Sequence, residues 1–282
     1  MFFNIHAAQH TLRMYYAYVN VHETRLKQCK QTKPSSCNTD TYRFFRTTNT
    51  NDSMNVEILQ LLEGARKAQG LTVIIDVFRA FSTACYAFGN GIQRIYPVGD
   101  LEKAYLLKQQ NPEFILVGER NEQKPEGFDF GNSPSQLMTG NLSGKTMVHT
   151  TSSGTQGIAN ATKAEEILTG SFVNAQAIIN YIRKQNPAQV SLVCMGYSCQ
   201  YPTDEDTLLA VYIKNELEGM PNDFAAMVEQ IRKGDGARFF APEKQEWAPV
   251  ADFDLCLSLN RFNFVLKVEQ DNGLNYLRKI DV

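Results

Sequence analysis

The chain has 282 residues, 43% hydrophobic and 21% charged, with a formal net charge of −2. That length suits one large domain or two modest ones, and the composition is that of an ordinary globular protein. A near-neutral balance lacks the basic patch that nucleic-acid binding favours, and no apolar run reaches the roughly 20 residues that span a bilayer, so neither partner is expected.

Residues 1–53 differ from the rest. They carry seven Lys/Arg against three Asp/Glu, three of the four histidines and two of the six cysteines. The stretch 27–51 is too polar to bury enough surface to offset its ordering entropy. A poorly ordered extension is the expectation, with Met54 as the natural start; a metal-binding arm is the competing reading. The cysteines show no CxxC or Cys/His ligand spacing. Cys85, Cys194 and Cys256 sit in apolar segments as small hydrophobes, so reduced thiols and a cytoplasmic location are expected.

From Val56 onward strand-like and helix-like segments alternate, which predicts an α/β fold. Strands are expected over 71–77, 93–97, 114–117, 145–149, 165–168 and 190–195, with short strands through 264–268. Helices are expected over 82–90, 101–109 behind an Asp100 cap, 171–185, 207–217 and 223–233. Ser133, Pro134 and Gln136 fit a helix start with a capping box. A domain division is placed near residues 160–170, giving units 54–165 and 166–282.

Three strand-like runs end in polar loops. Val73-Ile74-Ile75 leads into Asp76 and Arg79; Ile115-Leu116-Val117 leads into Glu119, Arg120 and then Asp129, Gly131 and Asn132; Met147-Val148 leads into His149 and the turn 150–155. In open α/β sheets ligands bind beyond the carboxyl ends of strands. Carboxylates (Asp76, Glu119, Asp129), guanidiniums (Arg79, Arg120) and a turn rich in hydroxyls and N–H groups (Thr151, Ser153, Gly154, Thr155) suit a divalent cation with a phosphorylated anion. Each also has a plainer reading. Asp76 could cap a helix, Arg79 could sit in a structural ion pair, and residues 131–134 could be a helix cap and nothing more. His149, the only histidine after residue 53, reads better as a buried hydrogen-bonded ring than as an acid/base group. Glu205 and Asp206 could complete a metal site or simply answer a helix dipole.

The segments DVFRAFST, GER, GFDFGNSP, TTSSGT, GSFVNA and TDED, in this order, resemble the 2-phosphosulfolactate phosphatase family from about residue 56 to the C-terminus. The resemblance implies two α/β domains, with mixed or mostly parallel sheets flanked by helices and the site in the cleft between them. It also implies Mg²⁺-dependent hydrolysis of 2-phospho-3-sulfolactate to 3-sulfolactate and phosphate, a step towards coenzyme M. Carried over by motif, Asp76, Arg79, Glu119 and Asp129 become catalytic. Arg120, Asn132, Thr151, Ser153, Gly154, Thr155 and Asn174 would bind substrate, and Asp76, Glu205 and Asp206 would hold the metal. Where the family pattern reads Thr-Asn-Gly-Thr, this chain has Ser152-Ser153-Gly154-Thr155, so a hydroxyl replaces an amide. The expected ligand is a small anionic phosphate ester; a homo-oligomer stays open. Water attack with Asp129 or Glu119 as base is preferred, since the DxDx[TV] signature of aspartyl-phosphate enzymes is missing. Another phosphate ester, or a non-catalytic anion-binding module, are the rivals. A Rossmann nucleotide site lacks its GxGxxG turn.

Overall fold

The computed structural model describes residues 54–282, and the extension expected before Met54 lies outside them. Ten strands form one sheet: β1 (Asn55–Gln60), β2 (Gly70–Ile75), β3 (Arg94–Pro97), β4 (Ile115–Gly118), β5 (Phe130–Gly131), β6 (Thr146–Thr150), β7 (Ala164–Gly170), β8 (Gln189–Cys194), β9 (Phe264–Asp271) and β10 (Leu274–Asp281). Their spatial order is β1-β8-β2-β7-β9-β10-β3-β6-β4-β5. Pairing is parallel throughout β1-β8-β2-β7 and again throughout β3-β6-β4-β5. The hairpin β9–β10 joins the two parallel halves through antiparallel contacts with β7 and β3.

Helices cover both faces: α1 (Leu61–Lys67), α2 (Ala80–Gly89), α3 (Leu101–Gln110), α4 (Pro134–Leu137), α5 (Gly154–Asn160), α6 (Ala175–Gln185), α7 (Asp204–Glu218), α8 (Phe224–Lys233) and α9 (Val250–Cys256). Burial on both sides explains why β2 reads as a continuous apolar run with all six residues buried. The strand's alternation then sorts its side chains between two cores. Val73 and Ile75 join Leu192 and Ile178 on one face, while Ile74 joins Val193 and Phe81 on the other. A third cluster, built on Leu116, Val148 and Leu107, lies under α3.

The expected α/β class with a mostly parallel sheet flanked by helices is what the chain adopts. The boundary placed between residues 165 and 166 falls inside β7, which pairs with β2 on one side and β9 on the other. Spatially, β1 and β2 keep company with β7 and β8, whereas β3 to β6 form the other parallel half. The described residues fall in one compact unit. The hairpin that unites the halves was not expected from the sequence, yet Asn272-Gly273 between two alternating runs is a strong two-residue hairpin signal. Both turn residues take the left-handed conformation, with φ 49° and 78°.

Candidate active site

β2 carries the chain to Asp76, whose buried Oδ1 accepts the Ala80 N–H at 3.1 Å. Asp76 therefore does seat the start of α2, two residues earlier than the expected Ser82. Its Oδ2 faces the turn before α5, where a Cβ on Gly154 would lie 2.9 Å from that oxygen. Glycine is needed there for the turn to approach the carboxylate. Burial above all, with the Glu119 charge adding to it, pushes the Asp76 carboxyl up to about 6, against hydrogen bonds from Ala80 and Gly154 and the Arg238 charge.

At the head of α7, Asp206 brackets two strand ends. Its Oδ1 accepts from Val77 N at 2.8 Å beyond β2, and its Oδ2 from Gly196 N at 2.9 Å beyond β8. Glu205 is buried beside it, with Oε1 3.7 Å from Arg238 Nη2 and Oε2 without a partner. Burial pushes Glu205 up to about 7, with Arg238 opposing. Asp206 is driven well above the carboxylate range by burial and then by the charges of Asp76 and Glu205. Three buried acids thus act on one another.

From the other half of the sheet, Glu119 at the end of β4 accepts Ser152 N at 2.6 Å, Ser152 Oγ at 3.1 Å and Glu122 N at 3.0 Å. This carboxylate ties two loops together. Thr151 and Thr155 bond reciprocally, Thr151 N donating to Thr155 Oγ1 at 3.1 Å and Thr155 N to Thr151 Oγ1 at 3.3 Å. Their hydroxyls shape the turn itself. Ser153 Oγ accepts Cys199 N at 3.2 Å.

A small cavity of about 50 Å³ receives these loops, larger than the roughly 10–15 Å³ one water needs. Of the expected site residues, Asp76, Arg79, Glu119, Asn132 and Ser153 line it, drawn from four separate loops. Ser152, from the expected turn, lines it as well, as do Glu122, Tyr197 and Arg238, none of which was singled out from the sequence. Arg238 spans the acids, with Nε 3.5 Å from Glu122 and Nη2 3.7 Å from Glu205, and its guanidinium lies 5.2 Å over the Phe239 ring. It follows no strand, so a search of strand ends could not reach it. Arg79 donates from Nη1 to Asp252 Oδ2 at 2.7 Å, and both side chains are buried. Asp252 Oδ1 accepts Ser135 N at 2.9 Å, so α9 and α4 jointly fix that guanidinium. In sequence, Asp252 looks like an ordinary first-turn acid.

Three expected residues lie elsewhere. Arg120 does not line the cavity: it donates to the carbonyls of Glu119 (2.6 Å) and Gly99 (3.0 Å) and to Thr150 Oγ1 (2.7 Å). Asp129 accepts Leu116 N at 2.8 Å and faces Lys108 at 3.8 Å, with 39% of its side chain exposed. Its phenylalanine neighbours do not bury it, since Asp129 sits at a bend just before β5. Asn174 closes a capping box, its Oδ1 accepting Ser171 N at 3.1 Å, and is wholly buried. Thr151, Gly154 and Thr155 shape the turn without lining the cavity, and Glu205 and Asp206 do not line it either.

Asp76 and Asp206 both hold backbone N–H groups, and Glu205 Oε2 is without a partner among the described residues. Among the described residues no three His, Cys, Asp or Glu side chains are placed to enclose a metal ion.

A family model described as 2-phosphosulpholactate phosphatase matches residues 57–271. The chain belongs to this family. It is 32% identical over 219 residues to a probable 2-phosphosulfolactate phosphatase of Caldanaerobacter subterraneus, covering 72% of this chain and 88% of that one. A protein of the same name from Bacillus subtilis is 29% identical over 214 residues, covering 74% and 92%. With the Thermotoga petrophila protein so named, identity is 40% over 169 residues, 59% of this chain and 66% of the relative's length. The relatives are named for a phosphoric monoester hydrolase. Among the described residues no helix is long and apolar enough to cross a membrane.

Proposed function

We propose that this chain hydrolyses a small phosphorylated hydroxy acid, 2-phospho-3-sulfolactate first among them, to the free hydroxy acid and phosphate. The observation that carries this reading is the convergence of Asp76, Arg79, Glu119, Asn132 and Arg238 on one cavity, in a chain of this family. A pure anion binder has little use for buried acids beside its ligand, whereas a metal-assisted phosphatase does.

The reading takes Mg²⁺ as the cofactor. This ion favours one or two carboxylates and leaves its other positions to water and substrate oxygens, and the cavity offers Asp76 for this, with Glu119 on its wall as well. When bound, Mg²⁺ would supply positive charge against the phosphoryl oxygens. The chain's own groups do the rest. Arg79, anchored on Asp252, and Arg238 present guanidiniums to an ester that carries about four negative charges near neutral pH. Asn132 and Ser153 add donors at fixed positions, which hold more value in a dry site than in water. Glu119, held by three donors, takes the proton of a water whose oxygen attacks phosphorus. The phosphorus–oxygen bond to the hydroxy acid then breaks, and the alkoxide leaves to be protonated from solvent. Asp129 has no part in this.

The test is phosphate release from a panel of phosphorylated hydroxy acids, with and without Mg²⁺. Release from 2-phosphosulfolactate that needs Mg²⁺ is expected. Release from another ester alone would move the substrate, and release from none would favour the binding module.

A further inference from the structure

His149 is wholly buried at the end of β6, and among the described residues the one side chain its ring bonds is Asn132, with Nε2 3.2 Å from Asn132 Oδ1. Among the described residues its other nitrogen, Nδ1, is buried without any partner. An amide oxygen cannot donate, so Nε2 must carry the ring proton in this arrangement. The orphan Nδ1 agrees: a bare lone pair is a lesser burial cost than an N–H left without an acceptor. Burial also holds the ring neutral, its pKa lowered to about 3, so Nδ1 keeps its lone pair near neutral pH.

The consequence lies on the far side of the amide. Asn132 is 5% exposed, and that sliver faces the cavity. An asparagine can rotate by half a turn at little steric cost, presenting either an acceptor or two donors. Near an anionic ester those choices have opposite sign. We propose that His149 is a positioning residue: its Nε2–H holds the oxygen of Asn132 inward, so that the Asn132 NH₂ group points into the cavity and donates to an anionic oxygen of the ligand. His149 then selects the charge of what binds without touching it. The proposal deepens the phosphate-ester reading and rests on it for the identity of the ligand, but not for the ring's protonation.

Two measurements test it. A long-range nitrogen–proton correlation spectrum of the full-length, nitrogen-15-labelled chain should show His149 with a protonated Nε2 and a bare Nδ1; a ring protonated at Nδ1 overturns the proposal whatever the protein hydrolyses. Calorimetric binding of inorganic phosphate in the presence of Mg²⁺ gives the second. His149→Leu should weaken binding about tenfold, the scale of one hydrogen bond to a charged group. His149→Gln can place an amide donor near the position of Nε2 and should stay within about threefold of wild type. In the His149→Leu/Asn132→Ala double variant the loss should not exceed that of Asn132→Ala alone, because both act through one amide. Equal losses in the Leu and Gln variants, or additive losses in the double variant, overturn it. Phosphate binding without hydrolysis of 2-phosphosulfolactate would overturn the substrate and leave this inference standing; no phosphate binding by wild type would overturn both.

Discussion

The ends of β2 and β4 carry the same pair of residue types, and their arginines go opposite ways. Beyond β2, Asp76 and Arg79 are both buried and both reach the cavity, Arg79 because Asp252 neutralises and aims it. Beyond β4, Glu119 also reaches the cavity, but Arg120 spends its guanidinium on two carbonyls and a hydroxyl, and Asp129, further along the loop, lies near the surface beside Lys108. An acid at a strand's end is therefore not enough to say where the arginine beside it points. What separates the two is supply from elsewhere in the chain: α9 brings Asp252, α7 brings Glu205 and Asp206, and the 235–240 segment brings Arg238.

The contrast can be broken in three ways, taken from the largest effect down. Asp76→Asn should lower kcat at least about 100-fold, the scale of losing a charge-organising group, while Asp129→Asn should stay within about twofold. Steady-state phosphate release measures both, and comparable losses would end the distinction. Next, Asp252→Asn leaves Arg79 buried without its counter-charge. Breaking one side of such a pair costs about 3–5 kcal/mol, so the urea midpoint should fall steeply, whereas Arg120→Lys should leave it nearly unchanged. Equal midpoints would mean the β2 pair is no better anchored than its β4 counterpart.

The smallest effect concerns pH. The unfolded His149 ring binds a proton near pH 6.5, but the folded ring refuses it until about 3. Between those values the unfolded state holds more protons, so the contribution to stability is fully present above 6.5 and is lost as pH falls. The slope is about 1.4 kcal/mol per pH unit. Wild type should lose stability relative to His149→Gln by that amount per unit from pH 6 to 4, read by denaturant unfolding at each pH. Parallel curves would place the ring in contact with solvent.

Local chemistry was legible in the sequence. The Asp100 cap is present, with Oδ1 accepting Glu102 N at 2.7 Å, and Ser133 Oγ accepts Gln136 N at 3.3 Å beside Pro134. Both rest on residues two or three apart, where spacing alone fixes geometry. The Gln136 side chain does not close the expected box; its Oε1 takes Gly131 N instead. Asp76 was legible because a buried strand must deliver its next residue to the sheet's edge. His149 was rightly read as a buried, bonded ring. Arg238 and Asp252 were not legible, since their meaning depends on partners 33 to 173 positions away and no pattern of types encodes that separation. The fate of Arg120 was hidden for a related reason: backbone carbonyls compete for a guanidinium, and sequence does not show where they point.

The central claim is that one cavity, walled by Asp76, Arg79, Asn132 and Arg238, holds both metal and phosphate. A crystal soaked with Mg²⁺ and inorganic phosphate tests it most directly. The account predicts an ion about 2.1 Å from an Asp76 oxygen, with phosphate against Arg79 and the Asn132 amide nitrogen. Phosphate found instead in the larger hollow of about 470 Å³ beside Gly99, Lys103 and Gln156, with the Asp76 cavity holding only water, would contradict it.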